Sequence, residues 1–342
     1  MLVTQAIAEI LKRERTEYLS CFPTTPVIEA AAEVGIRPII CRQERVGVGI
    51  ADGYARVTNG KTPAVFAMQY GPGVENAYAG IATAYSDSSP VLLLPLGHPR
   101  MTQDTHPLFS SMRSLASVTK SVEQLTVPER LPAAMRRAFS QLQNGQPGPV
   151  MVEIPADVAA SEIDAELVAA YRPAPVVRSM GDAQEITLAA ESLLGAERPV
   201  ILAGSGVLYG EAWDELTELA EYLQVPVATT MAGKSAFSET HPLALGSMSG
   251  VMSDPALKFF GEADLVLAVG TSLTIHGMVT PIPAGKRIIH VTNDPIDIGK
   301  SYDVDHAILG DAKHVLRQFI DVVADLKGDE PVDPNDGPAA EI

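Results

Sequence analysis

The chain has 342 residues, 46% of them hydrophobic, enough for two ordinary globular domains with separate cores. Its formal net charge of −17 argues against a nucleic-acid or anionic-membrane surface and favours solubility. No apolar run reaches the length of a membrane span, and two cysteines, Cys21 and Cys41, are too few for a disulfide framework or a structural zinc site, so the expected setting is the cytoplasm.

Residues 1–14 interrupt their apolar positions with Glu9 and Lys12 and read as an amphipathic helix, not a signal peptide. Short apolar runs then alternate with helical patterns. Strands are predicted at 18–22, 38–41, 64–68, 91–96 and 150–154, and helices at 27–34, 46–58, 74–85 and 128–142. Near-continuous apolar strands separated by helices predict a parallel sheet covered on both faces. The pattern fades from about residue 157, and Arg172-Pro173-Ala174-Pro175 reads as extended. A second α/β unit follows, with strands at 199–203, 226–230, 265–269 and 287–292 and helices at 184–194, 211–223 and 312–326. The expected architecture is therefore two doubly wound parallel-sheet domains, 1–160 and 183–327, joined by a linker at 161–182 and followed by a disordered acidic tail at 328–342.

Two phosphate-loop patterns nearly match and fail. Gly233-Lys234-Ser235 resembles the end of a P-loop, but Ala228 stands where the first glycine is needed. Gly204-Ser205-Gly206 follows a strand, yet Gly210 comes one residue late for the dinucleotide fingerprint. Nucleotide hydrolysis and hydride transfer are not expected. The informative stretch is 41–56, where Glu44 stands between an apolar strand and a helix rich in small residues. Ligands of open α/β sheets bind at the carboxyl ends of strands, so the position suits a site. Gly47, Gly49 and Gly53 weaken a helix intrinsically, and their clustering predicts close packing against another surface. Gln69-Tyr70-Gly71-Pro72-Gly73-Val74-Glu75-Asn76 again follows a strand and opens a helix, and Pro23-Thr24-Thr25-Pro26 follows the first strand, so three strand ends should converge.

In this order and spacing the segments resemble the pyrimidine-binding domain of thiamine-diphosphate enzymes of the acetolactate synthase and 2-oxo acid decarboxylase group. The family's carboxylate and following Asp-Gly-Tyr-Ala-Arg match Glu44 and residues 52–56; its Gly-Pro-Gly turn and nearby Asn match Gly71-Pro72-Gly73 and Asn76; its approach to the last strand matches Gly148-Pro149. Residues 226–237, 263–270 and 290–295 resemble the family's central domain, which binds FAD in acetolactate synthases and is read here as structural.

The resemblance implies thiamine diphosphate with Mg²⁺ as cofactors and Glu44 as the carboxyl on the aminopyrimidine, in an apolar setting from Val46, Val48 and Ile50. It implies that Pro23, Thr24, Gln69, Tyr70, Gly71, Gly73 and Asn76 line the cofactor, that Thr25, Gln69 and Phe109 face substrate, and that His98 and His106 are candidates for proton transfer. Arg100 and Arg113 are weaker candidates for an anionic substrate. The family's third domain holds the diphosphate and metal with Gly-Asp-Gly, a motif missing here; Gly310-Asp311-Ala312 and Gly181-Asp182-Ala183 come nearest. The implied partner is thus a smaller subunit carrying that domain and all metal ligands, in a hetero-oligomer with more than one copy of each chain. The implied reaction makes or breaks a carbon–carbon bond beside a carbonyl, by a 2-oxo acid decarboxylase or an acetolactate synthase-like carboligase. A 2-hydroxyacyl-CoA or benzaldehyde-type lyase, a catalytically silent regulatory subunit and a fragment of a longer chain are the alternatives.

Overall fold

The structure is a computed structural model that describes residues 1–250, 252–328, 332, 333 and 340. They divide into two compact units, Met1–Val177 and Arg178–Ile342.

In the first unit the chain runs α1 (Val3–Arg13), β1 (Tyr18–Cys21), α2 (Val27–Glu33), β2 (Arg37–Ile40), α3 (Glu44–Val57), β3 (Ala64–Met68), α4 (Pro72–Ser86), β4 (Val91–Gly97), α5 (Ser111–Leu115), β5 (Ser121–Gln124), α6 (Leu131–Gln143), β6 (Val150–Pro155), α7 (Ala156–Ala159) and α8 (Ala165–Ala169). The strands form one sheet in the order β2-β1-β3-β4-β6-β5, every pairing parallel. Side chains alternate across it with the strand period of two. Val65 and Ala67 enter the core under α1, α2 and α6, whereas Ala64, Phe66 and Met68 enter the opposite core under α3 and α4. The chain leaves β1 to one side for β2 and returns on the other for β3, so the topological switch point lies between β1 and β3.

Two sequence expectations change here. Strand β5 was not predicted: Ser121-Val122-Glu123-Gln124 is a half-exposed edge strand paired only with β6, and lacks the apolar run of a buried strand. The first half of the expected linker at 161–182 packs onto the first unit, whereas 172–180 carries no helix or strand and is mostly exposed. Ile163, Val168 and Tyr171 are buried in the core beside α1, and the Tyr171 hydroxyl donates to the buried Glu14 carboxyl. The division, at Val177/Arg178, falls within that expected linker, and Gly181 packs against Ile186 and Ile308 of the second unit. Apolar residues at intervals in 161–171 are anchored by burial despite the weak periodicity.

The second unit runs α9 (Ala183–Leu194), β7 (Pro199–Ala203), α10 (Ser205–Gly210), α11 (Trp213–Leu223), β8 (Val227–Thr229), β9 (Ala244–Ser247), α12 (Asp254–Glu262), β10 (Leu265–Val269), β11 (Arg287–Thr292), β12 (His306–Leu309) and α13 (Ala312–Lys327). Its sheet has the order β12-β11-β10-β7-β8-β9, again parallel throughout. The two strands missed by the sequence, β9 and β12, are both edges. The predicted helix at 211–223 begins at Trp213, because Glu211 adopts a left-handed conformation at φ 52° that ends α10. At this sheet's own switch point backbone meets backbone. A methyl group added at Gly204 would sit 2.2 Å from the Gly270 carbonyl oxygen, and one at Gly233 would sit 2.4 Å from that of Ala203. His290, fully buried on β11, donates from Nε2 to the Thr271 carbonyl at 2.8 Å and holds the turn after β10; burial keeps its pKa below the ordinary histidine value. The expected tail at 328–342 lies mostly outside the described residues; Val332 donates its N–H to the Tyr222 carbonyl at 3.0 Å.

Among the described residues no helix is long and apolar enough to cross a membrane.

Candidate active site

The carboxyl ends of β1, β2, β3 and β4, neighbours in the sheet, carry the residues singled out by the sequence. Glu44 opens α3 directly after β2, following an extended Gln43 at φ −146°. The first turn of α3 is drawn onto the sheet by Ser20, whose hydroxyl donates to the Gly47 carbonyl at 2.7 Å. Only glycine fits at position 47: a methyl group there would lie 2.2 Å from Phe66 Cε2 and 2.7 Å from Cys41 Sγ. Helix α4 closes on α3 in the same way. A methyl at Gly80 would meet Val48 Cβ at 3.1 Å and the Arg45 carbonyl oxygen at 3.3 Å. At the far end Arg56 pairs with Asp52 at 2.9 Å and with Asp87, the last-turn cap of α4, at 2.8 Å. The two helices are therefore clamped at both ends.

At the near end lies the site. Glu44 is 4% exposed, and its Oε2 accepts a hydrogen bond of 2.6 Å from Asn76 Nδ2 on α4. The turn between β3 and α4 needs glycine twice. Gly71 sits at φ 57°, and a methyl at Gly73 would meet Gln69 Cγ at 2.6 Å and Glu44 Oε1 at 3.1 Å. The backbone thus passes beside one carboxyl oxygen while Asn76 holds the other. Tyr70 leans on the His98 ring at a centroid distance of 4.4 Å and an interplanar angle of 43°. Nε2 of His98 is buried without a hydrogen-bond partner among the described residues, and a methyl at Gly71 would lie 3.9 Å from it.

The remaining candidates spread out. Pro23 and Thr24 are exposed at the end of β1. Thr25 is buried, with Oγ1 accepting from the Val27 N–H at 3.4 Å, so it serves the start of α2. His106 is exposed on the loop after β4, and Phe109 packs half-buried against the Phe66 side of the core. Arg100 and Arg113 already have anions: Asp157 at 2.7 Å and Asp104 at 3.3 Å. The expected apolar setting of Glu44 is also corrected. Val46 and Ile50 are 52% and 37% exposed, and of the three only Val48 is buried, because these alternate residues spread around a helix of period 3.6. Gly49 and Gly53 likewise have open space before them, so of the three glycines only Gly47 makes the close approach.

Glu153 was missed. It lies buried on β6, under Gly97 of β4, with the Gln124 amide donating to Oε1; burial raises its pKa and that bond pulls it back. A lone carboxylate inside Val-Met-Val-Glu-Ile-Pro was the available signal. Among the described residues no group of three or more His, Cys, Asp or Glu is arranged to hold a metal.

A buried carboxyl with one bare oxygen, beside a turn kept clear by glycine and an unpartnered imidazole nitrogen, fits a flat heteroaromatic ring bearing a basic nitrogen. The family model of the thiamine pyrophosphate enzyme N-terminal TPP binding domain matches residues 1–117, and that of the central domain matches residues 186–319. A "Probable acetolactate synthase large subunit" of Methanocaldococcus jannaschii is 35% identical over 332 residues, covering 92% of this chain and 55% of that protein. Glyoxylate carboligase of Escherichia coli O157:H7 is 30% identical over 304 residues, covering 86% of this chain and 50% of its own length. The chain spans about half the length of the curated relatives it matches. Benzoylformate decarboxylase from Polynucleobacter necessarius superposes with a TM-score of 0.81 at 21% identity, over 98% of this chain and 63% of that one, a likeness of fold. With both models matched in order along two parallel-sheet units, the chain belongs to the thiamine pyrophosphate enzymes, of which it carries the N-terminal binding domain and the central domain.

Proposed function

We propose that the first unit holds the aminopyrimidine ring of thiamine diphosphate, and that the assembled enzyme joins or cleaves a carbon–carbon bond beside the carbonyl of a 2-oxo acid. The observation that carries this reading is the Glu44 carboxyl, buried, tied to Asn76 through Oε2 and, among the described residues, without a hydrogen bond at Oε1 beside Gly73. When bound, the cofactor supplies a carbon nucleophile and an electron sink that side chains do not provide. Glu44 holds a proton against a ring nitrogen. Gly71 and Gly73 keep the backbone clear of the ring, while Pro23, Thr24, Gln69 and Tyr70 border it. His98, with its buried free nitrogen, is the better placed of the two histidines to move a proton at the reacting carbonyl.

Similarity to an acetolactate synthase large subunit and to glyoxylate carboligase supports carboligation over decarboxylation alone. Diphosphate and Mg²⁺ are assigned to a partner chain with a Gly-Asp-Gly domain, in a cytoplasmic hetero-oligomer, and the second unit is assigned a structural role without FAD. The chain mixed with such a partner, thiamine diphosphate and Mg²⁺ should turn over 2-oxo acids. Glu44→Gln should lower kcat about 100-fold or more without changing the fold. Equal turnover by the variant would sink the reading.

A further inference from the structure

The hydrogen bond between Asn76 and Glu44 has a direction, and the direction decides where a proton can reside. An ionised carboxylate only accepts, and a protonated one donates from a single oxygen. Asn76 presents its amide nitrogen to Oε2 at 2.6 Å, and a carbonyl oxygen accepts more strongly than a hydroxyl, so the bond favours Oε2 as the carbonyl of the protonated acid. Oε1 is left as the oxygen that can carry hydrogen. It faces the Gly71–Gly73 turn, where a side chain at position 73 would meet it at 3.1 Å. Asn76 is itself exposed, so its own carbonyl oxygen is free to meet water.

We propose that Asn76 is a positioning residue that assigns the proton of Glu44 to Oε1, so that the O–H points away from α4 and into the site. The aminopyrimidine as recipient rests on the function proposed above; the assignment of the proton within the pair does not. When Glu44 gives up this proton, the O–H electron pair stays on Oε1 and the bond to Oε2 is unchanged. The amide dipole therefore works as a reference that favours one oxygen as the acceptor and the other as the acid.

Three variants of the full chain test the assignment. Asn76→Asp sets two carboxyls at hydrogen-bond distance, so they must share one proton. Its thermal midpoint should fall by several degrees relative to wild type between about pH 5 and about pH 8, because rising pH removes the shared proton. Combining it with Glu44→Gln reverses the bond: the amide nitrogen introduced at position 44 turns toward the carboxylate introduced at position 76, and the pH-dependent loss should vanish. That swapped pair presents only a carbonyl oxygen to the site. Glu44→Gln alone, beside Asn76, instead turns its amide nitrogen into the site as a donor.

Binding of thiamine diphosphate with Mg²⁺ to the assembled complex, read by calorimetry and not by turnover, should therefore be about tenfold weaker for the swapped pair than for Glu44→Gln. Equal affinities for these two, or an Asn76→Asp variant with wild-type pH dependence, would overturn the assignment. If wild type fails to bind the cofactor at all, the functional reading falls, and the pH comparison still decides the pair. If Asn76→Asp does not fold at either pH, rescue by Glu44→Gln supports the bond and its absence overturns it.

Discussion

Gly47→Ala is the most informative single change, because helix propensity and packing predict opposite signs for it. In a helix interior alanine is favoured over glycine by about 0.5–1 kcal/mol. The structure predicts a net loss instead. The new methyl would lie 2.2 Å from Phe66 Cε2, about 1.3 Å inside the roughly 3.5 Å at which carbon atoms rest. Phe66 is 0% exposed in the middle of the sheet and has nowhere to go, so α3 must lift. Lifting stretches the 2.7 Å bond from Ser20 to the Gly47 carbonyl and shifts Glu44, one turn earlier, from Asn76. Overpacking at about 1–3 kcal/mol and a lost hydrogen bond of about 1 kcal/mol together exceed the propensity gain, leaving a net cost of about 1–3 kcal/mol. For a unit of this size that is a thermal midpoint lower by about 3–10 °C. Calorimetry of the full chain reads it, with Gly53→Ala as control. Position 53 has nothing within 4 Å and should gain stability. A Gly47→Ala midpoint equal to or above that of wild type would refute the packing argument.

Two further outcomes follow from the same geometry. Burial raises the pKa of Glu14 above its ordinary 4.5, against the opposing pull of the Tyr171 hydroxyl. An acid raised in the folded state holds its proton more tightly there, so its contribution is present at low pH and is lost as pH rises through 4.5 toward the folded value. Glu14→Gln should flatten that part of the pH–stability profile, measured by denaturant melts at several pH values, while Tyr171→Phe, which strands the carboxyl, should cost about 1–3 kcal/mol. His98→Ala should lower kcat of the assembled enzyme by about 100-fold with the thermal midpoint little changed, since its Nε2 bonds to nothing among the described residues; kinetics within twofold of wild type would remove it from the chemistry.

What the sequence made legible is what burial writes into it. Strands covered on both faces, such as Ala64–Met68 and Leu265–Val269, are unbroken apolar runs and are read without difficulty. Three edge strands, β5, β9 and β12, are short and half in water and were missed, whereas the fourth edge, β2, was legible from its apolar residues 38–41. The site was legible as strand-end loops in order, which is how Glu44, Gly73 and Asn76 were found together. Their division of labour was not, because the hydrogen bond from Asn76 depends on how closely α4 approaches α3, and that distance is set by Gly47 and Gly80 against side chains far away in sequence. Val46 and Ile50 were misplaced because a three-dimensional environment was inferred from nearness along the chain.

The glycines at the strand ends of the second unit have a wider consequence. Gly204 and Gly206 are kept small by the Gly270 backbone, and Gly233 by Ala203 and Gly204, main chain against main chain. The near-miss phosphate-loop spelling of these turns is thus accounted for by crossing backbones, and substituting these glycines would report on domain stability before it reported on any ligand.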